Sequence, residues 1–303
     1  MSPFLALTGP TAVGKTVLAL EIAERLDAEI VSVDSRQIYR GLDIGTAKPT
    51  AEQLARVPHH FVDEREVLDP INAGQFAREA HERIEAILNR GRVPLAVGGS
   101  TLYLTALVHG LAELPPVPEA IAAEVTSEAS TLEGREALLN ELTMADPQAA
   151  ATLDASKTHR LARLVGVLRA AHTPPSRAWS AAPTPRHAFK VVVLNRPRDV
   201  LYKRIEQRVD AMFENGLLDE NRQLLERGVP REARAMRTIG YQEPQAFLAG
   251  ELTEARMVEL MKRNSRRYAK RQLTWFRRYP EYDWMDAETV SPADLLALLS
   301  ASE

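Results

Sequence analysis

Phe4-Leu5-Ala6-Leu7-Thr8-Gly9-Pro10-Thr11-Ala12-Val13-Gly14-Lys15-Thr16 decides the fold. An apolar run leads into a glycine, and Leu18, Ile22 and Leu26 then repeat at helical spacing. From Gly9 to Thr16 the chain fits G-x-x-x-x-G-K-[ST], a phosphate-binding loop set between a strand and a helix. The glycines let the backbone curl so that its N–H groups converge. The following helix aims its positive end at the same point. Lys15 adds a point charge, and the Thr16 hydroxyl suits a Mg²⁺ that bridges phosphate oxygens. A bare glycine turn would need neither side chain. The loop therefore predicts a polyphosphate or pyrophosphate ligand, held by Gly9, Pro10, Thr11, Ala12, Val13, Gly14, Lys15 and Thr16, without naming the reaction.

The 303 residues suffice for one large domain or two moderate ones, and 45% hydrophobic with 26% charged residues is an ordinary globular balance. The net charge is −3, so affinity for nucleic acid must come from a local basic patch. With no cysteine, disulfides and thiolate metal sites are excluded, which fits a reducing cytosol. The first strand starts at once, without a basic n-region or long apolar h-region, and no apolar stretch approaches a membrane span. A cytoplasmic location and no membrane partner are the expectation.

Along the chain, Glu29-Ile30-Val31-Ser32-Val33 reads as a buried strand with Asp34-Ser35 at its carboxyl end, the side on which open α/β sheets bind ligands. Asp34 is either a site residue or a turn cap, and position alone leaves both open. Gly41 to Pro49 has the composition of a surface loop. His59 and His60 lack zinc-site spacing and read as a structural pair. Phe76, Ala80, Ile84 and Leu88 mark a helix over Ala73 to Asn89, closed by Gly91. The strand Val93 to Val97 ends in Gly98-Gly99-Ser100 rather than in the acid that supports Mg²⁺ in nucleotide-hydrolysing enzymes, and the glycines allow close backbone approach. Phe189 to Leu194 forms a later strand, and the rest is mostly helical.

Two proline clusters, Leu114 to Pro118 and Thr173 to His187 (with Pro174, Pro175, Pro183 and Pro185), bracket an alanine-rich helical stretch. Its Arg160, Arg163 and Arg169 are either a solvated face or phosphate contacts. Arg208, which shares a helix side with Arg204, is either a surface charge or an anion ligand. Lys262 to Tyr279 holds eight Lys or Arg and no acid, with Arg263, Arg267, Lys270 and Arg271 at helical spacing and aromatics between them. That patch favours RNA or another polyanion. The expected architecture is an α/β, P-loop NTPase-like core with a parallel sheet flanked by helices, formed by residues 1–115 and 188–303, plus a small all-helical insertion over 116–187.

Taken together, Gly9 to Thr16, Val33-Asp34-Ser35-Arg36-Gln37-Ile38-Tyr39-Arg40-Gly41-Leu42-Asp43-Ile44-Gly45-Thr46-Ala47-Lys48-Pro49, Val97-Gly98-Gly99-Ser100, Arg237-Thr238-Ile239-Gly240-Tyr241-Gln242 and Ala269 to Arg277 resemble the tRNA dimethylallyltransferase (tRNA isopentenyltransferase) family across nearly the whole chain. Ser100 departs from the family's usual Thr but keeps a hydroxyl. The resemblance implies transfer of a dimethylallyl group from dimethylallyl diphosphate to N6 of the adenosine 3′ of the anticodon, with Mg²⁺ as cofactor, tRNA as partner and a monomeric enzyme. It implies that the loop takes the diphosphate leaving group rather than ATP. Asp34, Thr11 and Arg208 would be catalytic. Asp34, Ser35, Arg36, Gln37 and Ser100 would surround the flipped base. His159, Arg160, Leu161, Ala162, Arg163, Arg237, Gly240, Tyr241 and Gln242 would touch the tRNA. Three other readings stay open from the residues alone: an ATP-dependent small-molecule kinase, a non-catalytic RNA-binding module, and a prenyltransferase acting on free adenine nucleotides.

Overall fold

The structure, a computed structural model, describes residues 3–112, 114–154, 157–179 and 185–300. Pro183 of the second proline cluster lies outside them. The chain divides into two compact units, one of Met1–Val108 with Pro185–Glu303 and one of His109–Thr184. The expected boundaries at 116 and 187 differ from these by a few residues.

The larger unit is an all-parallel six-stranded sheet flanked by helices. β1 (Phe4–Thr8), α1 (Lys15–Leu26) and β2 (Ala28–Ser32) follow one another. α2 (Ala51–Arg56) and the two-residue β3 (His59–His60) come next. α3 (Ala73–Asn89), β4 (Val93–Val97) and α4 (Thr101–His109) complete the first half. The strand order is β3-β2-β4-β1, continued beyond β1 by two strands described below, so the chain reverses its sheet direction at β1. This switch point is where α/β sheets open a crevice for ligands. The phosphate loop follows β1 and sits there.

The apolar faces explain the layers. Leu5, Leu7, Ile22, Ile30 and Leu95 pack α1 against one side of the sheet. On α3, Phe76 is fully buried between Phe61 and Tyr103, with ring centroids 4.9 and 4.4 Å away. β3 makes the histidine pair structural, as its sequence context predicts. Its backbone adds a sheet edge beside β2, while His60 Nε2 lies 2.6 Å from Glu29 Oε2 and His59 Nδ1 lies 2.7 Å from the Val57 carbonyl.

The smaller unit is helical: α5 (Glu119–Glu128), α6 (Leu132–Ala145), α7 (Pro147–Ala151), α8 (Thr158–Ala171) and α9 (Pro175–Trp179). Val125, Leu138, Leu142, Leu161 and Val165 form its own core. Arg169 is engaged by Glu124, Glu128 and Glu141, so this arginine is neither a bare solvated charge nor a free phosphate ligand.

The chain returns to the sheet through β5 (Phe189–Asn195), then runs through α10 (Arg198–Glu214), α11 (Leu217–Glu226), α12 (Gln242–Leu248) and α13 (Glu254–Phe276). It ends with the edge strand β6 (Asp283–Asp286) and α14 (Pro292–Ser300). No helix among the described residues is long and apolar enough to cross a membrane.

β4 lies between β1 and β2, and its end is stripped of side chains. A Cβ on Gly98 would stand 2.1 Å from the Val33 carbonyl oxygen. The close approach expected of these glycines is therefore made in part by the neighbouring strand's own backbone. Gly98→Ala should force the two strand ends apart and cost about 2–4 kcal/mol, read as a lowered midpoint in a urea melt.

Candidate active site

Beyond the carboxyl ends of the strands lies a cleft of about 720 Å³. One wall is the phosphate loop from Thr11 to Thr16, and another is Asp34 to Gln37 after β2. Gly98 to Ser100, Arg204 and Arg208 of α10, Arg237 to Gly240 with Gln242, and Tyr268 with Gln272 of α13 close it. Residues far apart in sequence thus meet in one place.

The loop is braced by its own side chains and by distant ones. Lys15 Nζ donates to the carbonyls of Gly9 and Pro10, both 2.9 Å away. Those two residues hold Lys15 and are not part of the cleft wall. Arg204 Nε donates to the Ala12 carbonyl and Arg196 Nε to the Val13 carbonyl, each at 2.9 Å. Gln272 carries the longest-range link: its Oε1 accepts the Thr11 amide at 3.0 Å and its Nε2 donates to the Gly99 carbonyl at 2.8 Å. It is almost wholly buried. Its signal in the sequence was hidden in the basic stretch, where the cations drew attention. Arg204 was legible as the neighbour of Arg208 one helical turn away.

Asp34 caps a turn and also lines the cleft. Its Oδ1 caps a turn, accepting the amides of Arg36 at 2.8 Å and Gln37 at 3.3 Å. The same carboxylate lines the cleft. Among the described residues it is the one acid that does so, against Lys15, Arg36, Arg204, Arg208, Arg237 and Arg271. Ser100 Oγ accepts the Ser35 amide at 2.9 Å and donates to Ser35 Oγ at 3.2 Å. The Ser100 hydroxyl thus fixes the backbone next to Asp34. Burial, then the nearby Asp34 charge, pushes the Tyr268 phenol up to about 12, so it stays protonated.

The stretch from Gly41 to Pro49 is not an ordinary surface loop. Glu220 of α11 accepts the amides of Asp43, Ile44 and Gly45 at 3.0, 2.6 and 3.1 Å, and the Tyr241 hydroxyl at 2.8 Å. A Cβ on Gly45 would overlap the Tyr241 ring at 2.7 Å. Tyr241 is therefore a buried strut rather than a side chain on the cleft wall. Thr46 in turn accepts from Arg208 Nη2 at 3.1 Å and Gln37 Nε2 at 3.3 Å. Of the remaining positions expected to meet tRNA, Arg237 and Gln242 are exposed at the cleft. His159, Arg160 and Arg163 are exposed on α8 of the other unit, with Ala162 half-buried beside them. Leu161 has its side chain in that unit's core.

The profile of the IPP transferase family matches residues 37–279. The chain belongs to that family. A tRNA dimethylallyltransferase of Salinibacter ruber is 49% identical over 298 residues, covering 98% of this chain and 92% of that one. The crystal structure of a tRNA isopentenylpyrophosphate transferase from Bacillus halodurans superposes with a TM-score of 0.70 at 36% identity, over 99% of this chain and 95% of that one. A tRNA isopentenylpyrophosphate transferase of Staphylococcus epidermidis gives the same TM-score at 32% identity, covering 99% of this chain and 98% of that one. In this IPP transferase the family match begins just past the phosphate loop and Asp34, and the Salinibacter relative extends the likeness over nearly the whole chain.

The electrostatics of the cleft favour an anionic ligand. Burial first, and the Arg208 charge second, lower the Lys15 ammonium to about 7, against a smaller opposing pull from Asp34. A lysine near half-protonation at neutral pH regains its proton when a diphosphate arrives. Inorganic diphosphate should therefore bind with proton uptake and lose up to about tenfold affinity per pH unit above neutrality. Calorimetry in buffers of different ionisation enthalpy measures this, and Lys15→Met should abolish the part that Lys15 contributes. Glu220→Ala should unclamp two loops, lowering stability by about 1–3 kcal/mol in a denaturant melt.

Proposed function

We propose that the chain transfers a dimethylallyl group from dimethylallyl diphosphate to N6 of the adenosine 3′ of the tRNA anticodon, releasing diphosphate. The observation that carries this is the lone carboxylate of Asp34 in a cationic cleft that also holds the phosphate loop. A group that leaves as diphosphate needs the cations, and an amine that attacks needs one base.

In this mechanism the loop amides, Lys15 and Arg208 receive the diphosphate, with Thr11 at the edge of the loop contacting it. The allylic C–O bond breaks and its electron pair stays on the diphosphate. The N6 lone pair forms the new C–N bond, and the N6 proton passes to Asp34. The turn amides of Arg36 and Gln37 hold Oδ1, which orients the carboxylate toward one incoming donor. Arg36, Gln37 and Ser100 surround the base, which must leave the stack to reach them. Arg237 and Gln242 at the cleft, and His159, Arg160 and Arg163 on α8, add contacts to the tRNA.

The residues fit a Mg²⁺ carried in on the substrate. Thr16 offers an exposed hydroxyl at the first turn of α1, and no cluster of three metal-ligating side chains is found among the described residues. The ion would share Thr16 and diphosphate oxygens and neutralise charge on the leaving group. The enzyme would act as a cytoplasmic monomer.

An anticodon stem-loop incubated with the protein, Mg²⁺ and dimethylallyl diphosphate should gain one five-carbon unit, mapped by mass spectrometry to the adenosine after the anticodon. ATP turnover with a small hydroxyl acceptor, and no gain on RNA, would instead favour a kinase. Asp34→Asn should slow transfer by about 10²–10⁴-fold while tRNA still binds. A mere RNA-binding module would be indifferent to it.

A further inference from the structure

A second depression of about 600 Å³ opens on another flank of α13. Its floor is the carboxyl ends of β5 and β6 and the first turn of α10. Helical spacing makes α13 the shared wall, with Tyr268, Arg271 and Gln272 on the cleft and Lys270, Leu273, Thr274 and Arg277 on this groove.

The groove pairs cations with aromatic rings. The Arg277 guanidinium lies 5.8 Å from the Trp284 ring centroid, and that of Arg198 lies 5.0 Å from the Tyr202 centroid. Trp284 is 37% exposed, unusual for the largest side chain. Arg198, Lys270 and Arg277 have no acid within ion-pair range among the described residues. Earlier on the same helix, Lys262 and Arg266 are held by Asp210 and Glu206. Lys262 and Arg266 are thus neutralised within the chain, whereas the three groove cations are left open. Arg196 is already spent on Val13, Ala287 and Glu288, and so links the groove to the phosphate loop rather than offering a free cation.

We propose that this groove binds one nucleotide of the tRNA other than the reacting adenosine, its base against the Trp284–Arg277 pair and its phosphate near Lys270 and Arg198. The inference rests on the reading of the chain as a tRNA-modifying enzyme. Stacking on an aromatic ring beside a guanidinium, with cations left for the phosphodiester, is how single-stranded RNA is held. Lys270 and Arg271 are consecutive and face the groove and the cleft respectively, so positive charge continues over the helix from one to the other.

The test uses the full chain and full-length tRNA. Two double variants, Arg277→Ala with Trp284→Ala and Arg198→Ala with Lys270→Ala, leave the cleft-lining residues intact. All four are exposed, so melting curves of both variants should match the wild type. Each pair should weaken tRNA binding about tenfold or more, and the second should flatten the slope of log affinity against log salt by about two. Inorganic diphosphate binding and the rate at saturating tRNA should not change. Wild-type affinity and slope in both variants overturn the proposal while leaving the prenyl-transfer reading intact. Free AMP that quenches Trp284 fluorescence, with tRNA affinity unchanged in the variants, also overturns it and makes the groove a small-nucleotide site. A wild-type chain that binds no tRNA overturns this inference together with the reading it rests on.

Discussion

The cleft exists because two strand ends can approach across a third. β1 carries the phosphate loop and β2 carries Asp34, yet β4 runs between them. Any side chain at the end of β4 would fill the space where the two must cooperate. Gly98 lets the Val33 backbone close over it, through the Val33 amide to the Val97 carbonyl at 2.7 Å and the Ser100 amide to the Val33 carbonyl at 3.2 Å. Gly99 then leaves just enough room for Gln272, which ties that turn to Thr11. The distance between diphosphate site and base is thus set by backbone packing and one amide side chain. These are stiff elements, which suits a reaction in which a displacement of an ångström is costly.

The same packing concentrates unlike demands on one volume. Among the described residues six basic side chains face the cleft with a single carboxylate, and burial already drives Lys15 toward neutrality. Crowding these charges in one cleft carries an electrostatic penalty, offset by the clamps around it. Lys48, nearly fully buried, donates to the Tyr39 carbonyl and pairs with Asp43 and Asp63, and Glu220 gathers three amides and a phenol. Both clamps sit behind the cleft rather than in it. They hold the loop that positions Arg208 and Gln37 without adding negative charge where the diphosphate must go.

Much of this was legible in the sequence because the signals were local. The phosphate loop, the helix from Ala73 to Asn89 and the strand from Val93 to Val97 follow from periodicity and glycine placement, and the structure gives the same limits for both elements. What was illegible was set by long-range contact. β3 is two residues long and β6 is bounded by acids, so neither has the apolar run that marks a strand. Gly41 to Pro49 has a loop's composition, and nothing in it foretells Glu220, some 175 positions later. Tyr241 and Leu161 sit in motifs that read as RNA contacts, but their side chains turn into the core and leave their exposed neighbours to face outward.

The long helix α13 shows why the C-terminal region is part of the chemistry rather than an appendage. Each of its faces has a separate task. Met257, Met261 and Phe276 are buried and anchor it. Tyr268 and Gln272 shape the cleft from the opposite end of the sequence to the phosphate loop. Trp275 donates to Thr105 at 3.1 Å, fixing the helix to α4 behind the glycine turn. An amphipathic surface helix needs only one apolar stripe, and its remaining faces are free to vary. Here they are not free, because the amide that aligns the loop, the phenol that lines the cleft and the unpaired cations share one rigid rod. A rotation of α13 that moved any one of them would move them all. Substrate binding along this helix and alignment of the phosphate loop are therefore mechanically inseparable.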